Sequence, residues 1–504
     1  MKKLLSILLV MAFVLCFVSC GASGGKATTS TQKNAGTEIQ KIVYSYATFN
    51  NIPTQENLKG VEDEINSITR DKIGVEVSLR PIAISEYAQT VSLALQGGEQ
   101  IDLFESLGDY NVSVSTSKAY DITNMVDSCA PEAKKTIGEE FLKACVKDGK
   151  LYGLPTLKPY ALTPMVIYKQ EIADELNIDM TQVKSVYDLT DILRKVKKAK
   201  PDITPLVPVQ GGQSGLGNCV GDVDFLSDSY MTPNGVLIGN NLKVENFYNT
   251  EIFAKLCDLS RTWYKEGLIM QDAATTTSSA AELMSASNSF CYVAAYSYPP
   301  EDTAASLEGQ VGAKIGAVQI GNAYLDTSAI NALTWMVAST SKAPEAALKF
   351  LNLTFTDPEI INLLIYGIKD RDYIKDADGF VSYPSGQDAA TVPYTAQLSC
   401  GTLGNFFLMD PMAGTKKESL VWEQAQNKAA TKSAAMGFTF DASGVKTEYT
   451  AVNNTIERYL PGLWCGSVDP ITTIPEFVKT LEASGINKII EAKQLQLDEW
   501  KKAN

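Results

Sequence analysis

Two stretches of this chain bring together residue types able to hold phosphates or ions, and both fail on spacing. Gly211-Gly-Gln-Ser-Gly-Leu-Gly217 would let backbone amides approach a phosphate. It has neither the G-x-G-x-x-G order nor a Gly-Lys-Ser/Thr ending, and no clear helix follows. A loop facing a cleft is expected there instead, with Gln210 and Gln213 offering amides to hydroxyl groups. Asp370-Arg-Asp-Tyr-Ile-Lys-Asp376-Ala-Asp378-Gly379 is as acidic as a calcium loop. The acidic spacing before the glycine is wrong for an EF-hand. Asp378-Gly379 between Tyr373-Ile374 and Phe380-Val381 predicts a hairpin turn, and no metal or other cofactor is expected. Histidine is absent. That excludes a Ser-His-Asp triad, a Cys-His dyad, His-ligated zinc and haem within this one chain. The cysteines after Cys20 stand at 129, 145, 219, 257, 291, 400 and 465, with no C-x-x-C pair. They read as buried small apolar side chains, Cys129 and Cys145 being left open as a bridge. Paired carboxylates need no histidine, so a surface glycosidase remains as an enzymatic alternative.

The elements that must position any site alternate between strand and helix. Ile42, Tyr44 and Tyr46 predict a strand. Leu58, Val61, Ile65 and Ile68 fall on one helical face. Ile73, Val75, Val77 and Leu79 alternate again. Ser85 is the expected N-cap of a helix that stops at Gly97-Gly98, and Ile101 to Phe104 reads as a third strand. The order β-α-β-α-β predicts a parallel sheet with helices on both faces. Ligand loops are then expected at 48–53, 81–85 and 106–112. Asp148-Gly149 predicts a hairpin. Pro155, Pro159 and Pro164 mark a crossing into a second α/β region, with strands near Met165–Tyr168, Leu206–Val209, Phe290–Tyr296 and Lys314–Val318, and helices over 186–200 and 252–266. A strand begins at Trp335 and a helix spans Pro344–Phe355. Tail helices are predicted near 416–436, 447–460, 475–484 and 487–502.

The balance of 44 Lys+Arg against 58 Asp+Glu gives a net charge of −14. Such a chain is a poor ligand for nucleic-acid backbone. Lys2, Lys3 and the apolar run Leu4 to Val18 have the form of a signal peptide over 1–19. Val18-Ser19-Cys20-Gly21 resembles a bacterial lipobox, with Phe17 where leucine is usual. Cleavage before Cys20 would place a lipid on its thiol and take the net charge to −16. Residues 20–37 read as a flexible linker, and two acyl chains suffice for stable anchoring.

Several segments are similar to the extracellular solute-binding lipoproteins of carbohydrate ABC importers. Gly98-Glu-Gln-Ile-Asp-Leu103, Gly149-Lys-Leu-Tyr-Gly-Leu-Pro155 and Ser341-Lys-Ala-Pro-Glu-Ala-Ala347 carry the resemblance through the body. Gly401-Thr-Leu-Gly-Asn-Phe-Phe407, Gly437-Phe-Thr-Phe-Asp441, Val445-Lys-Thr-Glu448 and Gln494-Leu-Gln-Leu-Asp-Glu-Trp500 resemble the uncharacterised C-terminal extension of one subgroup. Cys400 departs from the aromatic neighbourhood expected before Gly401.

The resemblance implies an α/β, two-lobed, type II periplasmic-binding-protein-like fold with an interlobe hinge and an added helical C-terminal region. Lobe 1 would comprise 38–157 plus 331–372. Lobe 2 would comprise 162–328 plus 373–504. It further implies a monomer on the outer face of the bacterial cell membrane that encloses an oligosaccharide or other polar solute and docks on an ABC permease. Sugars match aromatic plates rimmed by polar groups. The expected ligand contacts are Tyr46, Phe49, Asn50, Asp109, Tyr110, Tyr160, Gln213, Tyr296, Tyr298 and Trp335. Asp109 resembles the family's sugar-binding carboxylate, and Tyr296 and Tyr298 its stacking aromatics.

Overall fold

Gln40–Thr48 is an inner strand of the first sheet, and its Tyr44 and Tyr46, on one face of the strand, are both buried. It pairs in parallel with Val75–Ala83, in register Tyr44↔Leu79, and with Leu103–Glu105 at Tyr44↔Leu103. The structure is a computed structural model describing residues 39–286, 288–397 and 401–503. The expected signal peptide, linker, lipidated Cys20 and the departing Cys400 lie outside them. Helix Gln55–Ile73 begins where the Thr54 side chain accepts from the Asn57 amide, and ends at Gly74 with φ +66°. Its Leu58, Val61 and Ile65 are buried against the sheet. Ser85 lies inside the next helix, Ile84–Gly97, and is not its N-cap; that helix starts without a side-chain cap.

The first sheet is not wholly parallel. Its order is Val75–Ala83, Gln40–Thr48, Leu103–Glu105, Thr334–Val337, Leu154–Pro155. Thr334–Val337 returns from the second lobe and runs antiparallel to both neighbours. A strand arriving from a distant segment is free of the right-handed crossover that forces parallel pairing in a βαβ unit. The hairpin at Asp148-Gly149 forms, with φ of +53° and +74° there, between Val146–Lys147 and Lys150–Leu151.

The second sheet has the order Ile315–Gln319, Thr163–Lys169, Ser289–Tyr296, Thr204–Leu206. Thr163–Lys169 is antiparallel to both neighbours, with Thr163↔Tyr296 and Met165↔Gln319 in register. Helices Leu189–Ala199 and Glu251–Lys265 share one core with the sheet, while Ala280–Ala286 and Pro300–Val311 contribute to another.

The last three helices, Lys446–Trp464, Pro470–Ser484 and Ile486–Ala503, belong to the core of the second lobe. Phe253 of the lobe meets Trp464 edge-on at 5.2 Å, and Tyr248 meets Phe477 at 4.7 Å. Aromatic pairs of this kind fix position as well as burying area. The segment after 372 divides differently from the expected border. Tyr373, Val381, Tyr394, Ala396 and Leu403 are buried in the core of the first lobe. Ile374–Lys375 and Val381–Ser382 form the expected hairpin, and the Asp376 carboxylate accepts from the Phe380 amide at 2.8 Å within it. The six cysteines at 129, 145, 219, 257, 291 and 465 are all free. Among the described residues no helix is long and apolar enough to cross a membrane.

Candidate functional site

The register of the second sheet gathers the site. Pairing Thr163 with Tyr296 and Met165 with Gln319 brings Pro164, Ala295 and Ile320 to one end of three adjacent strands, beside the segments that cross between lobes. They border a cavity of about 490 Å³. Tyr187 and Tyr230 stand at its wall with 49% and 44% of their surface exposed. An aromatic ring left in water at a cavity mouth is available to stack on an apolar ligand face. Asn218, Asn322 and Asp326 supply polar groups. Tyr324 lines the same cavity, and its hydroxyl is buried there.

Asp326 caps helix Thr327–Asn331, accepting from the Ala329 amide at 2.8 Å. Burial, then the nearby charge of Asp224, pushes its carboxyl up to about 7. Asp228 also lines the cavity, but its carboxylate is already occupied. It accepts from Lys493 Nζ at 2.7 Å, the Asn234 amide at 2.6 Å and the Tyr449 hydroxyl at 2.5 Å.

The glycine-rich loop forms a neighbouring pocket of about 360 Å³ against the helix Lys446–Trp464. Close packing accounts for its glycines. A Cβ at Gly215, φ +86°, would run into the Val293 carbonyl oxygen. One at Gly212, φ +75°, would lie 2.8 Å from Pro461 Cβ. Both positions combine a backbone that favours glycine with a neighbour that excludes a side chain. Gln213 lines this pocket, and its amide pairs with the Gln210 carbonyl at 2.8 Å.

None of the residues expected from sequence lines the 490 Å³ cavity. Tyr46 is buried with its hydroxyl 2.8 Å from that of Tyr394. Trp335 is fully buried, stacks on Tyr44 at 4.3 Å and donates to the Thr402 carbonyl at 2.8 Å. Tyr110 donates to the Cys145 carbonyl at 2.6 Å. Tyr160 donates to the Thr156 carbonyl, and its amide reaches Asn427 Oδ1 at 2.8 Å. These four are packed in the first lobe with their polar atoms satisfied from within. Phe49 is exposed, Asn50 is tied to the Ala389 and Thr395 carbonyls, and Asp109 is exposed ahead of the helix Tyr110–Ser115. Tyr296 is partly buried with its hydroxyl 2.7 Å from that of Tyr292. Tyr298 lines a third cavity of about 450 Å³, where Glu423 is buried with both oxygens lacking a partner. Burial, then Asp302, pushes Glu423 up to about 7.

Sequence reasoning singled out none of Tyr187, Tyr230, Tyr324 and Asp326, which line this cavity. Tyr187 sits in the 3-10 turn Val186–Asp188, whose capping box at Ser185 and Asp188 is the one signal that marked a sharp helix entry there. Tyr230 lies in a loop without periodicity.

Comparison with known proteins agrees with the architecture. The family profile described as bacterial extracellular solute-binding protein matches residues 65–367, and a domain of unknown function matches 434–502. The chain is 23% identical over 502 residues, 97% of each chain, to a carbohydrate ABC transporter substrate-binding protein of Streptococcus pneumoniae serotype 4. The crystal structure of an N-glycan transport solute binding protein from Streptococcus pneumoniae superposes with a TM-score of 0.73 at 22% identity, covering 92% of this chain and 99% of that one. The same protein in complex with Man1GlcNAc superposes at 0.61, with 22% identity and coverage of 92% and 100%. An HMO-binding solute-binding protein of Bifidobacterium longum infantis gives 0.65 at 14% identity, covering 91% and 99%. Two α/β lobes, an interlobe return strand and a matching profile over more than half of the chain place this protein in the bacterial extracellular solute-binding protein family.

Proposed function

We propose that this protein captures an oligosaccharide in the cleft beside its interlobe crossings and presents it unaltered to the membrane subunits of an ABC importer. The observation that carries this reading is the 490 Å³ cavity edged by Tyr187 and Tyr230, with amide and carboxyl groups between them. Exposed rings match the C–H faces of sugars, and Asn218, Asn322 and Asp326 match their hydroxyls. The relatives named for carbohydrate and N-glycan transport support the same ligand class. Hinge closure would follow from a ligand that touches both lobes only when they are shut. A lipid on Cys20 would tether the protein outside the membrane.

The two Asp carboxyls of this cavity do not favour a glycosidase. Hydrolysis uses one carboxyl as acid and a second as base or nucleophile. Asp228 is held by Lys493, Tyr449 and the Asn234 amide, which leaves Asp326 without a second free Asp there.

Thermal unfolding with Man1GlcNAc, Man5GlcNAc and a panel of other oligosaccharides tests the reading, with mass spectrometry of the recovered sugar. A raised Tm with intact sugar is expected. No shift with any saccharide, or recovery of shortened products, would overturn it.

A further inference from the structure

The C-terminal domain of unknown function, residues 434–502, is built into the wall of the candidate site. The 490 Å³ cavity and the 360 Å³ pocket lie side by side, with Gly217, Asn218, Ser229 and Tyr230 lining both. Beyond those residues the far wall of the pocket comes from the C-terminal helix Lys446–Trp464, through Ile456, Glu457, Leu460, Pro461 and Trp464. The loop carrying Ser229, Tyr230, Met231 and Thr232 is itself held by this domain. Lys493, fully buried, donates to Asp228 Oδ2 at 2.7 Å and to the Gly235 carbonyl at 3.0 Å, spanning the loop at both ends. Tyr449 donates to the other oxygen of Asp228, and Asn234 Nδ2 donates to Asn453 Oδ1 at 2.9 Å.

The chemistry of the pocket repeats that of the main cavity. Leu460, Pro461 and the Tyr230 ring supply apolar surface, and Glu457, Gln213 and Ser229 supply hydroxyl partners. A pocket that shares its wall with a first sugar site, and is of like composition, suits a further unit of the same chain.

We infer that the C-terminal domain forms a second saccharide subsite with the glycine-rich loop, sharing Tyr230 with the first, and that this subsite sets a preference for longer or branched oligosaccharides over disaccharides. The inference rests on the saccharide reading above. Lys493 acts as a positioning residue, since it touches the loop and not the ligand. Glu457 is exposed on the helix surface and lines the pocket, so replacing it alters the subsite without disturbing the core.

The test is calorimetric titration of the full lobe pair, residues 39–504, with Man1GlcNAc and Man5GlcNAc. The parent is expected to bind Man5GlcNAc more tightly. Glu457→Leu, which removes a hydroxyl partner and adds no ring, is expected to weaken Man5GlcNAc by about tenfold, the order of a hydrogen bond to a charged group, and to leave Man1GlcNAc within about twofold. Tyr187→Ala, in the main cavity alone, is expected to weaken both. If Glu457→Leu leaves the ratio of the two affinities unchanged while Tyr187→Ala weakens both, the second subsite is wrong and the saccharide reading stands. If the parent binds neither sugar, both fall.

Discussion

Lys493 donates to Asp228 Oδ2 at 2.7 Å across 265 positions of sequence, and neither side chain is more than 3% exposed. Burial drives both groups toward their neutral forms, and each draws the other back to its charged one. The pair joins the last helix of the chain to the loop that carries Tyr230, so the geometry of the candidate site depends on it.

Breaking that pair should be costly. Lys493→Met leaves a buried carboxylate short of its main partner and should lower stability by about 3–5 kcal/mol. The double change Lys493→Met with Asp228→Asn should recover part of that loss. Urea unfolding of the two single variants and the double variant measures the coupling; additive losses would contradict it.

Asp326 gives a pH signature. With its folded carboxyl pushed up to about 7 against an ordinary value near 4, the folded chain holds a proton that the unfolded chain releases. Its contribution therefore falls as pH rises through the window from about 4 to 7, and the loss persists above it. Asp326→Asn keeps the helix cap and removes the titration. The variant should gain Tm relative to the parent at pH 8, by an amount corresponding to more than about 1 kcal/mol, and gain little at pH 4. A parallel offset at both values would contradict the assignment.

Two glycines separate conformation from crowding. Gly221 has φ +76° with open space around it, whereas Gly215 has φ +86° and the Val293 carbonyl oxygen against it. Gly221→Ala should cost about 1 kcal/mol, and Gly215→Ala several times more, read by chemical denaturation. Equal costs would show that the loop does not press on strand Ser289–Tyr296.

Affinity and stability should part between two sets of tyrosines. Tyr187→Ala and Tyr230→Ala remove exposed rings and should each weaken saccharide binding by about tenfold with little change in Tm. Tyr110→Phe removes a buried hydroxyl that donates to the Cys145 carbonyl and should lower stability by about 1 kcal/mol without altering affinity. The reverse pattern, measured by calorimetry and thermal unfolding, would move the site back toward the first lobe.

The elements were legible where periodicity is strong. The alternation of Ile42, Tyr44 and Tyr46, the helical spacing from Leu58 to Ile68 and the Asp148-Gly149 and Asp378-Gly379 turns all correspond to structure. The site was less legible, for a physical reason. An inner strand of a sheet covered on both faces buries every side chain, so a tyrosine at its end looks the same in sequence whether it meets ligand or core. Tyr46 and Trp335 are of that kind. Tyr187 and Tyr230 lie in a short turn and an irregular loop, and only tertiary packing brings them to one cavity. The burial of Tyr394 and Ala396 in the first lobe was equally hidden, because the segment that carries them has no regular pattern.

Capture by closure of two lobes is the central claim, and small-angle X-ray scattering of residues 39–504 with and without saturating Man5GlcNAc tests it most directly. A smaller radius of gyration in the bound state, with unchanged mass, is the predicted result. Calorimetrically confirmed binding with an unchanged scattering curve would contradict it.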